Sequence, residues 1–141
     1  MQWAINHKNW TTEDWKSIIW SDETRVNRFG SDGDLYGWRN PKNKLTKQDV
    51  WEISKADGRR LMVWSCITWH GVGYICDIGD HNMVKEDYLN ILKSNLIDSL
   101  NYYKMNNNRT IFMQDNDPKH KAKLVMDWLD KQEFKVIDWP P

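Results

Sequence analysis

The sequence predicts an α/β domain built on one mixed sheet with helices packed against it. Strand-like runs come first along the chain, and two helical segments then alternate with two further apolar runs. That order is typical of a sheet that begins as an antiparallel meander and continues with parallel strands joined through helices. At 141 residues the chain is long enough for one such domain with a single core.

The first elements are predicted from capping and turn signals. Thr11 followed by Asp14 matches a capping signal, which predicts a short helix around residues 13–16. An apolar strand follows at 18–21, so Asp22 is expected at its carboxyl end.

The next segment is expected to form an antiparallel hairpin and then a basic loop. Strands are predicted at 26–29 and 35–38 around a glycine-rich turn. Residues 39–50 have no clear periodicity and are predicted to form a loop. It carries four positive charges, at Arg39, Lys42, Lys44 and Lys47.

A second hairpin is predicted from the runs 61–68 and 73–78, which are separated by a short turn. If Trp69 pairs with Gly73, the same register places Cys66 opposite Cys76. Two cysteines are too few for a zinc module or a disulfide framework, so free buried thiols are expected.

The second half is predicted to alternate helices with strands. Apolar residues at helical spacing predict a helix at 83–101, capped by Asn82. A continuous apolar run then predicts a buried central strand at 111–114 that leads directly into Asp115. Asp117 with Pro118 is expected to open a helix that extends to about residue 131. A last strand is predicted at 134–138.

Composition limits the possible partners. Lys plus Arg equals Asp plus Glu at 20 each, so any nucleic-acid contact must come from local patches rather than from net charge. Ten tryptophans favour packing in the core over base stacking. No stretch approaches the length of a membrane span and the first residues do not match a signal peptide, so we expect a soluble, intracellular protein with no membrane partner.

Two motifs run an apolar strand into a carboxylate, Trp20-Ser21-Asp22-Glu23-Thr24 and Gln114-Asp115-Asn116-Asp117-Pro118-Lys119-His120. With matching strings around Trp10, Gly30, Trp38, Trp64, Gly71 and Trp139, the pattern resembles the catalytic domain of Tc/mariner-family DNA transposases. The resemblance implies a ribonuclease-H-like fold with a D, D, E (or D) metal triad. Residues 1–17 are then expected to be a linker before a catalytic domain at 18–141.

By the same resemblance, Asp22 and Asp115 are the first two acids and bind Mg²⁺ or Mn²⁺, and Asp22 bridges two metal ions. Asn116 is expected to hold a metal-bound water or to support Asp115, and His120 is expected either to contact DNA phosphate or to make a structural hydrogen bond. Glu23 is expected to be solvated or to act indirectly, because adjacent side chains of a strand point to opposite faces. The implied partners are transposon ends, target DNA and a second copy of the chain, and the implied location is the nucleus. By position, the loop with Arg39, Lys42, Lys44 and Lys47 is expected either to contact DNA or the second copy or to be a solvated surface loop.

The resemblance also implies differences from a complete family member. The DNA-reading modules would precede this chain, and the third acid would lie beyond residue 141, so little strand cleavage is expected from this fragment alone. Two alternatives stay open: a non-catalytic DNA-binding or dimerising remnant, and another nuclease of the same fold that acts on RNA or hybrids.

Overall fold

The computed structural model describes residues 2–27, 60–79, 81–105 and 107–140. It contains one five-stranded sheet in the order β3-β2-β1-β4-β5. The strands are β1 (Ile18–Asn27), β2 (Arg60–Thr68), β3 (Gly71–Gly79), β4 (Ile111–Met113) and β5 (Lys135–Val136). The pairs β1–β2 and β2–β3 are antiparallel, whereas β1–β4 and β4–β5 are parallel. The predicted mixed sheet is therefore confirmed.

Helices occupy the connections between strands. Two short helices, α1 (Gln2–Asn6) and α2 (Thr12–Lys16), precede β1, and α5 (Lys123–Leu129) lies between β4 and β5. A longer helix joins β3 to β4 and consists of α3 (Lys85–Ile91), a π-helical turn (Leu92–Leu96) and α4 (Ile97–Tyr102). In the part of the chain that the structure describes, no helix has the length and apolar character needed to cross a bilayer.

The capping prediction for α2 is confirmed. The hydroxyl of Thr11 accepts a hydrogen bond from the backbone N–H of Asp14, and the Asp14 carboxylate accepts one from the backbone N–H of Thr11. The helix predicted at 83–101 is also present, but it begins after Val84 instead of at Asn82. Asp87 fixes that start, because its carboxylate accepts the backbone N–H of Val84 at 3.1 Å.

Strand β1 is longer than predicted, which corrects the expected position of Asp22. The residues around Asp22 pair continuously with β2, from Trp20 opposite Ile67 to Asn27 opposite Arg60. Cross-strand pairing thus outweighs the weak strand propensity of Asp and Glu in this segment. Asp22 lies inside a ten-residue strand instead of at its carboxyl end, and 26–27 do not begin a new strand. The rest of the predicted first hairpin and the whole basic loop lie outside the described residues.

The second hairpin is confirmed, but its register differs from the prediction. Trp64 pairs with Cys76, and a register shift between Ser65 and Ile67 places Cys66 opposite the segment 73–74. The predicted pairing of Cys66 with Cys76 is therefore wrong, because a bulge adds a residue on β3. Both thiols are free, and only Cys66 is fully buried. Burial raises the pKa of the Cys66 thiol and outweighs the opposing effect of its hydrogen bond to Ser99.

The predicted start of the last helix, at Asp117–Pro118, is also wrong, because α5 begins at Lys123. Lys121 N–H reaches the carbonyl of Asp117, which closes a single helical turn. The extended backbone of Ala122, with φ −59° and ψ 139°, then separates this turn from α5. The last strand is shorter than predicted, although Ile137 N–H still donates to the carbonyl of Phe112 on β4 at 3.0 Å.

The core lies between one face of the sheet and the helices α3, α4 and α5. Its fully buried side chains include Ile19, Trp64, Tyr88, Leu92, Leu96, Leu100, Phe112 and Val125. Burial of such side chains from water is the main stabilising contribution to the fold.

Most tryptophans do not lie in this core. Among the described ones, only Trp64 is fully buried, and Trp69 is 66% exposed. The prediction that most would be core residues is wrong because five of them pack on one another. This aromatic cluster consists of Trp3, Trp10, Trp15, Trp20 and Trp139, with the ring of His7 among them. It docks the segment before β1 against the start of the sheet and against the chain's last described residues.

Candidate active site

The adjacent parallel strands β1 and β4 bring the two predicted acids to one end of the sheet. Their register pairs Ile18 with Ile111 and Trp20 with Met113. If the same register is continued past the end of β4, position 22 falls beside position 115. Ser21 supports this continuation, because its hydroxyl donates to the carbonyl of Met113 at 2.9 Å. Strand adjacency is thus as predicted, whereas convergence of the two carboxylates stays a prediction.

Both acids are accessible to a ligand. Asp22 is exposed, and its Oδ1 accepts the backbone N–H of Glu23 at 2.8 Å. The side chain of Asp115 is 54% exposed. Its Oδ1 accepts the backbone N–H of Asp117 at 2.9 Å and lies 2.6 Å from Nδ1 of His120. One oxygen of Asp115 is therefore fixed by the protein.

His120 forms the buried support of Asp115. Its side chain is only 3% exposed. The imidazole stacks on Tyr88 with 3.9 Å between ring centroids and an interplanar angle of 27°. Such burial favours the structural alternative over a contact with DNA phosphate.

Glu23 completes a carboxylate–imidazole–carboxylate chain behind the exposed acids. Its side chain is 8% exposed, with Oε1 3.2 Å from Nε2 of His120. Its other oxygen lies 3.6 Å from the ammonium of Lys119. Glu23 is therefore not solvated, and it can act on Asp115 only indirectly, through His120. The alternation of side chains along a strand predicts that Glu23 faces away from Asp22, but the burial of its face depends on the tertiary packing.

Tyr88 and Gln114 were not predicted to belong to this site. The Tyr88 hydroxyl donates to Oε1 of Gln114 at 2.7 Å, and Nε2 of Gln114 donates to the carbonyl of His120 at 3.4 Å. Burial, followed by the nearby charge of Glu23, raises the pKa of the Tyr88 phenol above its usual range. Tyr88 therefore remains a neutral donor that holds the loop carrying His120. The sequence feature that could have identified Gln114 as part of the site is its position directly before Asp115.

The amide nitrogen of Asn116 connects two segments near the site. It donates to the backbone carbonyls of Trp139 and Pro140, at 2.9 and 3.1 Å. These hydrogen bonds tie the loop after β4 to the segment after β5, and the predicted support of Asp115 or of a metal-bound water by Asn116 stays a prediction.

Asp117 caps the turn after β4. Its Oδ1 accepts the backbone N–H of Lys119 at 2.9 Å, and Oδ2 lies 2.6 Å from the Lys119 ammonium. Partial burial acts to raise the pKa of Asp117, but these hydrogen bonds and the positive charge of Lys119 outweigh it and hold the pKa below its usual value. The predicted capping role is thus correct for this turn, although not for α5.

The lowered pKa of Asp117 predicts a pH effect on stability. A carboxyl with a lower pKa in the folded state stabilises the fold above its unfolded pKa of about 3.9 and loses that contribution as pH falls further. In urea titrations between about pH 5 and 2, Asp117→Asn is expected to lose less stability than the parent chain. Asp98→Asn, an exposed position on α4, is the control. Equal slopes for Asp117→Asn and the parent would contradict the expectation.

The donor set fits a hard divalent cation. The described residues contain no group of three or more His, Cys, Asp or Glu side chains that could hold a metal ion. Mg²⁺, however, keeps several waters and is commonly held by one or two carboxylates. Two exposed carboxylates on neighbouring strands, Asp22 and Asp115, are of the right chemistry to be the candidate ligands.

The chain is similar in sequence to known transposases. No family model matches the chain. The chain is 31% identical over 140 residues to the transposable element Tc1 transposase of Caenorhabditis elegans, covering 98% of this chain and 50% of that protein. It is 30% identical to the Tcb1 transposase of Caenorhabditis briggsae, again over 50% of the relative. The chain therefore spans about half the length of the curated relatives it matches.

Solved structures show the same fold. A Mos1 transposase paired-end complex with the left transposon end has a TM-score of 0.69 at 22% identity, covering 94% of this chain and 37% of that one. A Mos1 mariner paired-end complex with Mn has a TM-score of 0.68 at 20% identity, covering 98% and 39%. The sheet described above is therefore ribonuclease-H-like, as the resemblance implied.

Proposed function

Because this chain belongs to the Tc/mariner transposases, we propose that it forms part of a catalytic domain for metal-dependent DNA strand cleavage and strand transfer. One observation carries the proposal: the register of β1 and β4 leads the exposed acids Asp22 and Asp115 toward the same end of the sheet. Related chains of known structure were solved with transposon-end DNA and with Mn. These relatives support DNA as the substrate and Mg²⁺ or Mn²⁺ as the cofactor.

The chain's own residues would divide the work as follows. Asp22 and Asp115 would hold the divalent cation, which supplies Lewis-acid stabilisation of charge on the oxygens of a phosphodiester. Oδ1 of Asp115 accepts the backbone N–H of Asp117 and lies against His120, which leaves the second oxygen of Asp115 available to bind. Glu23 and Tyr88 hold the imidazole from two other sides. The protein thereby presents its carboxylates in a preset arrangement, which is what electrostatic catalysis requires.

Metal binding by the purified chain tests the proposal directly. Titration with Mn²⁺, followed by electron paramagnetic resonance of the free ion, is expected to show binding that falls at least tenfold in Asp22→Asn and in Asp115→Asn. Asparagine keeps the size and hydrogen-bond capacity of each side chain but removes its charge, so the fold should survive. Asp98→Asn is the matched control on α4. Equal binding by all variants would contradict the assignment of these acids.

The same titration separates the proposal from its second candidate. A chain that binds DNA but shows no Mn²⁺ binding dependent on Asp22 and Asp115 would be a non-catalytic DNA-binding module. Association with a second copy and action in the nucleus complete the proposal, and both stay predictions.

A further inference from the structure

We propose a second nucleic-acid site at the opposite end of the sheet, which binds a single-stranded segment through base stacking and phosphate contacts. A cavity of about 400 Å³ lies there. We call it the distal basic pole and define it by Lys16, Trp69, His70, Tyr103, Lys104 and Arg109, which all line this cavity. The site uses neither Asp22 nor Asp115, so its test is independent of the test of the proposed metal site.

The topology fixes the position of this pole. Ser17 and Thr110 line the same cavity and directly precede β1 and β4. Both strands run from there toward the acids. At about 3.3 Å per residue, Asp22 lies roughly 15 Å from the cavity along β1. The pole is thus a separate surface of the domain.

The charges of the pole suit a polyanion. Lys104 and Arg109 are exposed, and Lys16 adds a third cation. Glu13 is the only acid among the described residues that line the cavity, and its carboxylate lies 2.8 Å from the Lys16 ammonium. Within the described part of the chain, Lys104 and Arg109 therefore remain available to contact phosphate, although the chain as a whole has no net charge.

Trp69 supplies a stacking platform. Its side chain is 66% exposed, although an indole of this size is normally largely buried. The Lys16 ammonium lies over the indole, 4.7 Å from the ring centroid, and so orients it. Proteins that bind single strands combine such an exposed aromatic side chain with neighbouring cations.

Lys104 is held in an unusual backbone conformation. Its φ is +56°, the left-handed region that favours glycine. Lys104 N–H donates to the carbonyl of Asn101 and Met105 N–H to that of Leu100, which is the Schellman arrangement that ends α4. A lysine here strains the backbone, because a left-handed conformation disfavours residues with a Cβ. Unlike glycine, lysine at this position adds a positive charge to the distal basic pole.

Lys104→Gly separates folding from binding. Glycine relieves the strained backbone and is expected to raise the melting temperature, while the lost cation should weaken binding. Fluorescence anisotropy of a labelled oligo(dT) in EDTA, at several salt concentrations, measures the affinity. The double variant Lys104→Gly/Arg109→Ala is expected to reduce the salt slope, which is the slope of log affinity against log salt concentration, by about 1.4. Each phosphate contact with a single strand contributes about 0.7 to this slope. An unchanged slope would overturn the proposal.

Trp69→Ala tests the stacking platform. The affinity for oligo(dT) is expected to fall about tenfold with the salt slope unchanged, because stacking contributes without counterion release. The affinity for a duplex of equal length should change little. Equal losses for the duplex and the single strand, or no loss for either, would overturn the stacking assignment.

Two controls locate the effect. Lys93→Ala with Lys131→Ala removes two exposed lysines elsewhere, and it is expected to leave affinity and slope unchanged. A drop equal to that of the pole variants would show that binding follows net charge, which would overturn the site. Neutralising the predicted basic loop at Arg39, Lys42, Lys44 and Lys47 should leave the dependence on Trp69 intact. Loss of that dependence would place the contact in the loop.

Discussion

Glu23→Ala is expected to destabilise the fold by about 3 kcal/mol, which would lower the melting temperature by roughly 10 °C. Oε1 of Glu23 lies 3.2 Å from Nε2 of His120, whose side chain is 3% exposed. Removing Glu23 leaves this side of the buried imidazole without a facing carboxylate, although Nδ1 keeps its contact with Asp115. Lys119 loses less, because its ammonium keeps the shorter contact with Asp117, at 2.6 Å against 3.6 Å to Glu23.

Glu23→Gln is the matched variant. It keeps the size of the side chain and a polar oxygen beside His120 but removes the charge, so a smaller loss of about 1 kcal/mol is expected. Urea unfolding followed by far-UV circular dichroism measures both variants. If Glu23→Ala costs no more than Glu23→Gln, the buried carboxylate does not support His120 as described.

Much of the fold could be predicted because its signals are local. Apolar runs bounded by turn residues identify β2, β3 and β4, and helical spacing identifies the segment from α3 to α4. The adjacency of β1 and β4 follows once a helix joins an antiparallel meander to a parallel strand. The candidate acids Asp22 and Asp115 are visible for the same reason, since each follows directly on an apolar run.

The details that failed depend on pairing and packing between distant segments. The bulge on β3 opposite Cys66 was not predicted, so the predicted cysteine pair was out of register. Asp22 appeared to end a strand because only pairing with β2 carries β1 further. Whether Glu23 is solvated or acts indirectly could not be decided from the sequence, because its burial depends on Tyr88 and His120, which come from two other segments.

The bulge creates a close contact between β3 and the helix above it. Gly73 lies opposite Cys66, and a Cβ at this position would come within 2.4 Å of the Cys66 sulfur and 2.7 Å of the Ser99 hydroxyl. That hydroxyl accepts the backbone N–H of Tyr74 at 2.9 Å and donates to the carbonyl of Asn95 at 2.6 Å. Glycine is therefore required so that the backbone of β3 can bond to α4.

Gly73→Ala is accordingly expected to cost about 3 kcal/mol, from overpacking of about 2 kcal/mol and a lost hydrogen bond of about 1 kcal/mol. Val72→Ala is the neighbouring control, because Val72 is 74% exposed and its truncation should change stability by less than about 0.5 kcal/mol.

A double-mutant cycle with Cys66→Ala identifies the clash. Removing the sulfur relieves the closer of the two clashes, while that with the Ser99 hydroxyl remains. The double variant is therefore expected to be at least about 1 kcal/mol more stable than the sum of the single effects predicts. The cycle is measured by urea unfolding of the four chains. Strict additivity would mean that the methyl group does not meet Cys66, and that the strand moves away from the helix instead. The Tyr74 amide proton would then exchange faster in Gly73→Ala, since its hydrogen bond to Ser99 holds the two elements together.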